Sequence, residues 1–139
     1  MRIHVQIEGG DRLKDLVRYR VPDARRQMVE RGMEATLEST IQLNPVDTGR
    51  SRAAWKAALD QLQGTSNAGA STEGPIGEGT ARGSLTHEHD ETTTDLAATN
   101  AVNYVPFLEY GTSRMTPYQM VRRSLAMVRG VIGRWFVLD

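Results

Sequence analysis

Residues 45–55 read PVDTGRSRAAW, and the fold depends on how this stretch is interpreted. Asn44-Pro45 ends a helix-like segment, because the residue before a proline avoids the α conformation. In Asp47-Thr48-Gly49, the aspartate can accept hydrogen bonds from nearby backbone N–H groups, and the glycine can adopt a positive φ. The stretch therefore predicts a tight turn between two elements.

The chain upstream of this turn predicts a strand and a long helix. Apolar and polar residues alternate over residues 2–8, as in a half-buried strand, and Gly9-Gly10 ends the pattern. Residues 11–20 have a helix-like apolar spacing, and Pro22 suits the first turn of a further helix. Residues 23–43 predict an amphipathic helix, because apolar side chains recur every four positions. These recurring residues are Val29, Met33, Leu37 and Ile41.

The chain downstream of the turn is less regular. Residues 51–62 have helix propensity, but their apolar residues also alternate, so both a helix and a strand remain open. Residues 64–91 hold six of the 13 glycines in their first twenty positions, and they predict a long mobile loop or arm. The Thr-rich residues 92–99 predict a returning strand. Residues 102–110 form a compact apolar segment that ends at Gly111.

The last element has the clearest pattern. Thr116-Pro117-Tyr118-Gln119 has the form of a capping box with a proline at the first helical position. Residues 117–135 then predict an amphipathic helix, because apolar residues recur at spacings of four and three and arginines lie mostly on the other face. The apolar residues are Val121, Leu125, Val128, Ile132 and Trp135. Residues 136–138 extend this apolar end, which suits either core packing or docking on a neighbouring molecule.

Composition limits the classes of function. The 139 residues suit a single domain, 1–139, with a modest core. The chain has no cysteine, which excludes disulfides, a thiol nucleophile and thiolate metal ligands. It has no apolar run of about 18 residues, and its polar N-terminal segment does not resemble a signal peptide.

The 17 basic and 17 acidic residues are unevenly distributed along the chain. Residues 1–60 carry a net charge of +2, residues 61–110 carry −6, and residues 111–139 carry +4. Complementary blocks of this kind favour contacts between copies of the chain. A general nucleic-acid-binding protein would instead carry a basic stripe.

Asp47-Thr48-Gly49 also raises an alternative hypothesis, because the same triplet carries the catalytic carboxylate of aspartic proteases. Such catalysis needs two carboxylates that share a proton, so a chain with one triplet would act as a homodimer. Three features favour the turn. A helix stop precedes Asp47 instead of an apolar strand, and residues 131–134, which look like the second protease motif, lie within the predicted last helix. Arg50 and Arg52 would also place cations beside the dyad.

The other candidates for chemistry have weaker patterns. Residues 87–91 (HEHDE) lack a third His or Cys that would complete a zinc site, and they predict a solvated acidic loop. His4 is isolated on a strand, and Ser39 and Ser51 have no His–Asp partners at a suitable spacing. No phosphate-binding glycine motif is present. The sequence therefore predicts no catalytic residue, no metal site and no cofactor.

Two segments read together resemble a known family. The first is residues 45–55 (PVDTGRSRAAW), and the second is residues 103–112 (NYVPFLEYGT), followed by a helix that starts near a proline. This ordered pair resembles the small neck or tail-completion proteins, also called minor tail components, of long-tailed double-stranded-DNA bacteriophages. The order and approximate spacing match over most of residues 22–130. The chain departs from the family at Val105-Pro106, where an alanine is usual, and at Thr116-Pro117-Tyr118, where Pro-Phe is usual.

The resemblance implies an α+β fold, in which a small antiparallel sheet packs with a long N-terminal helix and a C-terminal amphipathic helix. It implies no enzyme activity. It implies a homo-oligomeric ring, typically sixfold, between the head connector or head-closure protein and the tail terminator or tail tube. Packaged DNA would pass close to this ring, and no membrane would be involved. The expected location is the neck or tail of the virion, after assembly in the cytoplasm of the host bacterium.

The two motifs and the last helix supply the residues expected to be structural or to form interfaces. We hypothesise that Arg50 or Arg52 pairs with Glu109 and joins the two motif turns. The acidic residues 64–95 are expected either to line a DNA passage or to form an arm that orders on a neighbour. Arginines of the last helix, among them Arg123, are expected to contact an acidic surface of the next protomer. The full set is Asp47, Thr48, Gly49, Arg50, Arg52, Trp55, Tyr104, Phe107, Glu109, Tyr110, Gly111, Thr112, Arg122, Arg129, Trp135 and Phe136.

Overall fold

A computed structural model describes residues 1–6, 16–46, 48–64 and 74–138, apart from the side chains of residues 6, 16 and 17. A π-helical turn at Leu16–Arg20 leads directly into α1, and a 3₁₀ turn at Ile132–Trp135 follows α5. The strands and helices, in chain order, are β1 (Arg2–Gln6), α1 (Val21–Leu43), α2 (Arg50–Gln63), α3 (Gly74–Ala81), β2 (Gly83–His89), β3 (Thr93–Asn100), α4 (Val105–Tyr110) and α5 (Met120–Arg129).

The three strands form one antiparallel sheet with the order β1-β3-β2. In the central strand β3, Thr94, Leu96 and Ala98 are buried and alternate with more exposed residues, as expected for a sheet covered on one face. Ile3 of β1 lies opposite Leu96, and β2 and β3 form a hairpin. The strand predicted over residues 2–8 is therefore confirmed for residues 2–6, while residues 7 and 8 lie outside the described residues. The strand predicted over residues 92–99 and the α+β class are also confirmed.

The core lies between the sheet and the first two helices. Val29, Met33 and Leu37 of α1 are fully buried, so the predicted apolar stripe of this helix is confirmed. They pack in one cluster with Trp55 of α2 and Leu96 of β3. The alternative left open for residues 51–62 is resolved as the helix α2, whose buried face recurs at helical spacing.

Helix α5 packs along α1 in the opposite direction. The hydroxyl of Ser124 donates to the Met120 carbonyl and is also hydrogen-bonded to the Ser39 hydroxyl at 2.9 Å. Ile132, which follows α5, lies against Gly32, nearer to the start of α1. A Cβ atom at Gly32 would stand 2.6 Å from the Cδ1 of Ile132. The glycine in the middle of α1 therefore permits the close approach of the two segments.

The prediction of a mobile loop or arm at residues 64–91 is wrong for its second half. The structure places α3 at Gly74–Ala81 and the paired strand β2 at Gly83–His89 in this segment, while residues 65–73 lie outside the described residues. The glycines have a packing role, because Cβ atoms at Gly79 and Gly83 would overlap the backbone of Arg50 and Ala54 in α2. Gly79 and Gly83 are therefore explained by close contact between backbones and not by chain flexibility.

The HEHDE segment is also not a solvated loop throughout. Residues 87–89 belong to β2, and Asp90 begins the turn to β3. Arg25, which is fully buried in α1, holds this turn: its Nη2 donates to the Asp90 carbonyl at 2.6 Å and its Nε donates to the Thr94 hydroxyl at 2.9 Å. The hairpin is thus fixed to α1 by a charged group whose donors are hydrogen-bonded.

The last helix differs from its prediction at both ends. It begins at Met120, not at residue 117, and the N-cap residue Gln119 has a φ of +52°. Thr116 does not cap it, and the backbone N–H of Tyr118 donates to the Leu108 carbonyl instead. The helix ends at Arg129 before Gly130, and the chain continues into the 3₁₀ turn. No helix in the described ranges is both long and apolar enough to cross a membrane.

Candidate functional site

The two motif segments meet at Ser51, the second residue of α2. Its backbone N–H donates to the Tyr104 hydroxyl at 3.1 Å, and its own hydroxyl donates to the side-chain oxygen of Asn44 at 2.8 Å. Its carbonyl accepts a hydrogen bond from the Asn100 side chain at 2.9 Å. Ser51 is 1% exposed, and its bond to Asn44 is fully buried, while the bonds to Tyr104 and Asn100 are partly buried. One residue thereby joins the end of α1, the start of α2, the end of β3 and the start of α4.

The turn before α2 has the conformation that the sequence predicts where it is described. Asp47 lies outside the described residues. The hydroxyl of Thr48 accepts a hydrogen bond from the backbone N–H of Arg50 at 3.4 Å, and Gly49 has a φ of +80° as the N-cap of α2. A residue with a side chain is strained at this φ, which explains the glycine.

The cations that follow this turn do not pair with Glu109, so the hypothesised link between the motif turns is wrong. Arg50 pairs with Glu78 of α3 at 3.2 Å, and Arg52 is exposed and donates to the Ile41 carbonyl at 3.2 Å. The physical reason is that Glu109 already has partners on α5. The link between the motifs is instead the neutral hydrogen bond from Ser51 to Tyr104.

Glu109, which is 6% exposed, caps the start of α5. Its two carboxylate oxygens accept hydrogen bonds from the backbone N–H groups of Val121 at 2.9 Å and Arg122 at 3.0 Å. The Nε of Arg122 lies 3.1 Å from the same carboxylate, and its guanidinium lies over the Tyr110 ring at 4.9 Å. Because Arg122 is used within the chain, its predicted contact with the next protomer is not supported by this geometry.

The second motif ends in a tight turn. Gly111 has a φ of +77°, and a Cβ atom there would stand 2.8 Å from the Met115 carbonyl oxygen. The backbone N–H of Thr112 donates to that same carbonyl at 2.9 Å. This turn returns the chain towards α4, so that the segment after it lies beside the residues of the first motif.

A surface cleft of about 410 Å³ opens between the two motif segments and this returning chain. Its volume is in the range of clefts that hold ligands or inserted side chains. Val46 and Tyr118, which belong to its lining, are 55% and 43% exposed. Phe107 and Tyr110 of α4 are 56% and 68% exposed but are not among the lining residues. The residues that line the cleft are Pro45, Val46, Thr48, Arg50, Tyr104, Leu108, Met115 and Tyr118.

The remaining predicted residues divide between core and surface. Trp55 is 4% exposed and belongs to the core cluster. Trp135 and Phe136 are half-buried against that cluster, and the Arg31 guanidinium lies 4.8 Å from the centre of the Trp135 ring. Arg129 is exposed at the end of α5 and makes no ion pair with the residues that the structure describes. The apolar C-terminal stripe is therefore largely core, as one of the two open interpretations expected.

The sequence interpretation missed the polar residues that join the elements. Asn44 and Ser51 lie seven residues apart on either side of the predicted turn. Polar side chains in these flanking positions can hydrogen-bond across a turn, so this spacing could have indicated the pair. Arg25 stands four residues before Val29 and so continues the apolar stripe of α1, which signals a buried cation. The composition of residues 116–119 predicts a helix start at Tyr118, whereas the structure places this residue in the lining of the cleft.

The described residues offer no cluster of three or more His, Cys, Asp or Glu side chains that could hold a metal ion. What the site offers is a partly apolar cleft whose lining includes Arg50 and two tyrosines, Tyr104 and Tyr118. Such surfaces suit the docking of another protein. No family model, curated protein or solved structure matches this chain at a significant level.

Proposed function

We propose that this protein is a structural component of the neck or tail of a long-tailed bacteriophage. Copies of the chain would form a ring, hexameric by analogy with the family it resembles, that joins the head connector to the tail and lets DNA pass. The proposed partners are further copies of the chain, a head-closure or connector protein, and a tail terminator or tail tube protein. The proposal includes no enzymatic activity.

The observation that carries the proposal is the junction of the two motif segments. They are about 50 residues apart in the sequence, yet Tyr104 accepts the hydrogen bond from Ser51, and the segments frame one cleft. The resemblance rests on these two motif segments in this order. Because the segments contact each other and line one cleft, their joint presence in the sequence has a structural explanation. Exposed side chains that line this cleft, such as Val46 and Tyr118, are of the kind that anchors protein interfaces.

The charge distribution also supports contacts between copies. Arg123 and Arg129 are exposed on α5 and make no ion pair with described residues. At the hairpin turn, Glu88 and Asp90 are exposed and likewise have no ion-pair partner there. Opposite charges on distant parts of one chain favour association between copies over association with DNA.

The experiment is light scattering on the purified chain, alone and with the connector complex. We expect a mass of several chains, six for the hexamer, in at least one of these conditions. A monomer in both conditions would contradict the ring. A strict dimer that the connector does not change, together with peptide cleavage that Asp47→Asn abolishes, would support the aspartic-type protease instead.

A further inference from the structure

The tip of the β2–β3 hairpin is attached to α1 through a network of three side chains. Arg25 of α1 donates from its Nη2 to the Asp90 carbonyl at 2.6 Å and from its Nε to the Thr94 hydroxyl at 2.9 Å. The same hydroxyl lies 2.8 Å from the Nδ1 of His89. Arg25 and Thr94 are fully buried, whereas His89 is exposed. The network therefore connects a buried cation to a side chain that can exchange a proton with solvent.

The hydrogens of this network can be placed by elimination. A guanidinium has only donors, so the Thr94 hydroxyl accepts from Arg25. If the hydroxyl donates its own hydrogen to the Nδ1 of His89, every polar atom of these contacts has a partner. If the Nδ1 carried a hydrogen instead, the hydroxyl would accept twice, and its own hydrogen would find no acceptor among the described residues. A buried donor without a partner is costly, so the arrangement requires a neutral His89 with its hydrogen on Nε2.

A proton on His89 would also add positive charge beside existing cations. Partial removal of the ring from water lowers the pKa of His89 most, and the charges of Arg25 and Arg26 lower it further. His87 acts in the same direction, and Asp90 acts in the opposite one. The other ionisable groups of the cleft between His89 and the start of α1 are Arg18, Tyr19, Asp23 and Glu91. The charged form of His89 is therefore disfavoured while the hairpin tip stays on α1.

We propose that uptake of a proton by His89 releases the tip of the β2–β3 hairpin from α1, so that mild acid opens this part of the fold locally. The added hydrogen on Nδ1 faces the Thr94 hydroxyl, which can accept it only by turning its own hydrogen into a buried site without an acceptor. Opening exposes these groups to water and separates Arg25 from the carbonyls of Asp90 and Glu91. The inference concerns a conformational change within one chain and does not depend on the proposed ring.

The direction and steepness of the effect follow from proton linkage. Because the pKa of His89 is lowered from 6.5 when the tip is attached, attachment is fully favoured above pH 6.5 and weakens as the pH falls below it, until the lowered pKa is passed. Opening takes up one proton, so its equilibrium constant can rise by at most about tenfold per pH unit. Asp90 acts in another range, because its pKa of about 2 keeps its carboxylate charged in mild acid.

Hydrogen exchange followed by NMR between about pH 5 and pH 7 tests this release in the full chain. The backbone N–H of Asp90 donates to the Thr93 carbonyl at 2.9 Å and therefore reports on the tip. The N–H of Leu37, a fully buried residue of α1, reports on global unfolding. After correction for intrinsic exchange rates, we expect the protection of the Asp90 amide to fall several-fold per pH unit towards acid, while that of Leu37 stays constant.

Two variants show whether His89 is responsible. His89→Asn should abolish the pH dependence, because its side-chain oxygen can accept from the Thr94 hydroxyl and does not titrate. The matched control is His87→Asn, since His87 is also exposed on β2 but its Nε2 lies 3.7 Å from the Glu30 carboxylate instead. This control should keep the pH dependence of the wild type. Nitrogen-15 spectra of the wild-type imidazoles at neutral pH should show His89 with its hydrogen on Nε2, and the His89→Asn spectrum identifies that signal.

Acid-dependent opening that is confined to the tip and absent only in His89→Asn would support the inference. Constant protection of the Asp90 amide in the wild type, or a parallel loss at Asp90 and Leu37, would overturn it. An unchanged pH dependence in His89→Asn would show that another group controls the opening. A hydrogen on the Nδ1 of neutral His89 would contradict the arrangement from which the release is derived. The wild-type measurements decide the question even if His89→Asn fails to fold.

Discussion

The Glu109 carboxylate holds Arg122 in two ways, through its guanidinium and through its backbone. The Nε of Arg122 lies 3.1 Å from one carboxylate oxygen, and the backbone N–H of the same residue donates to that oxygen at 3.0 Å. The other oxygen accepts from the N–H of Val121. An acid from α4 thus caps α5 across the turn at Gly111, where negative charge is favoured by the helix dipole.

Replacing Glu109 should loosen the start of α5. We expect Glu109→Ala to lower the free energy of unfolding by about 1–3 kcal/mol, because two backbone N–H groups lose a charged acceptor. Arg122→Ala should cost less than about 1 kcal/mol, since its side chain is half-exposed and water can replace it. Urea unfolding of both variants measures the difference. Equal losses would show that the ion pair, not the cap, is the stabilising contact.

The hydrogen bond to the Tyr104 hydroxyl should contribute measurably to the free energy of unfolding. Tyr104→Phe removes the acceptor for the buried backbone N–H of Ser51, and we expect a loss of about 1–2 kcal/mol. The matched control is Tyr110→Phe, because Tyr110 is 68% exposed and its hydroxyl can remain hydrated. An unchanged urea midpoint in Tyr104→Phe would mean that the junction of the motifs does not depend on this bond.

The glycines beside α2 should tolerate no side chain. Gly79→Ala and Gly83→Ala would each place a methyl group onto a backbone carbonyl, and we expect losses of about 2–4 kcal/mol or failure to fold. Gly133→Ala is the control, because nothing lies within 4 Å of the added Cβ there. Thermal unfolding distinguishes them. If Gly79→Ala melts like Gly133→Ala, α3 does not pack on α2 as described.

The turn of the β2–β3 hairpin should weaken in acid. Backbone N–H groups of Thr92 and Thr93 donate to Asp90 and lower the pKa of its carboxyl group from 3.8 to about 2. Because the pKa is lower in the folded chain, the contribution of Asp90 is complete above about pH 4 and is lost as the pH falls through about 2. Asp90→Asn should lack this part of the acid dependence. Urea midpoints at several pH values for both chains measure it, and parallel curves would contradict the assignment.

The elements that could be predicted are those whose pattern follows from a buried face. The fourfold spacing of Val29, Met33 and Leu37 predicts α1, and the positive φ of Gly49 follows from the turn composition of its segment. The α+β class and the central strand β3 can be predicted for the same reason, because their residue patterns match the faces that they bury. In these regions local preference and tertiary packing favour the same structure.

The misassigned elements are those where tertiary contacts overrule local preference. Thr116-Pro117 has the composition of a helix start, but Glu109 supplies the cap from another element, so α5 begins later. Gly79 and Gly83 have the composition of a loop, but they allow close contact with α2. The cleft could not be foreseen because it combines three segments, and the pairing of Arg50 with Glu78 requires a helix that the composition conceals.

The contact of Gly79 and Gly83 with α2 has a consequence for how the sequence can diverge. Any side chain at either position would displace a backbone carbonyl of α2, the helix that carries Ser51 and Trp55. Mutations at these glycines therefore disturb both the hydrogen bonds of Ser51 and the core packing of Trp55. The exposed polar residues around these two glycines, such as Glu78 and Thr80, make single contacts that other side chains can replace at lower cost. Distant homologues are therefore expected to keep two glycines four residues apart, the second at the first position of a strand, even where the neighbouring residues have diverged.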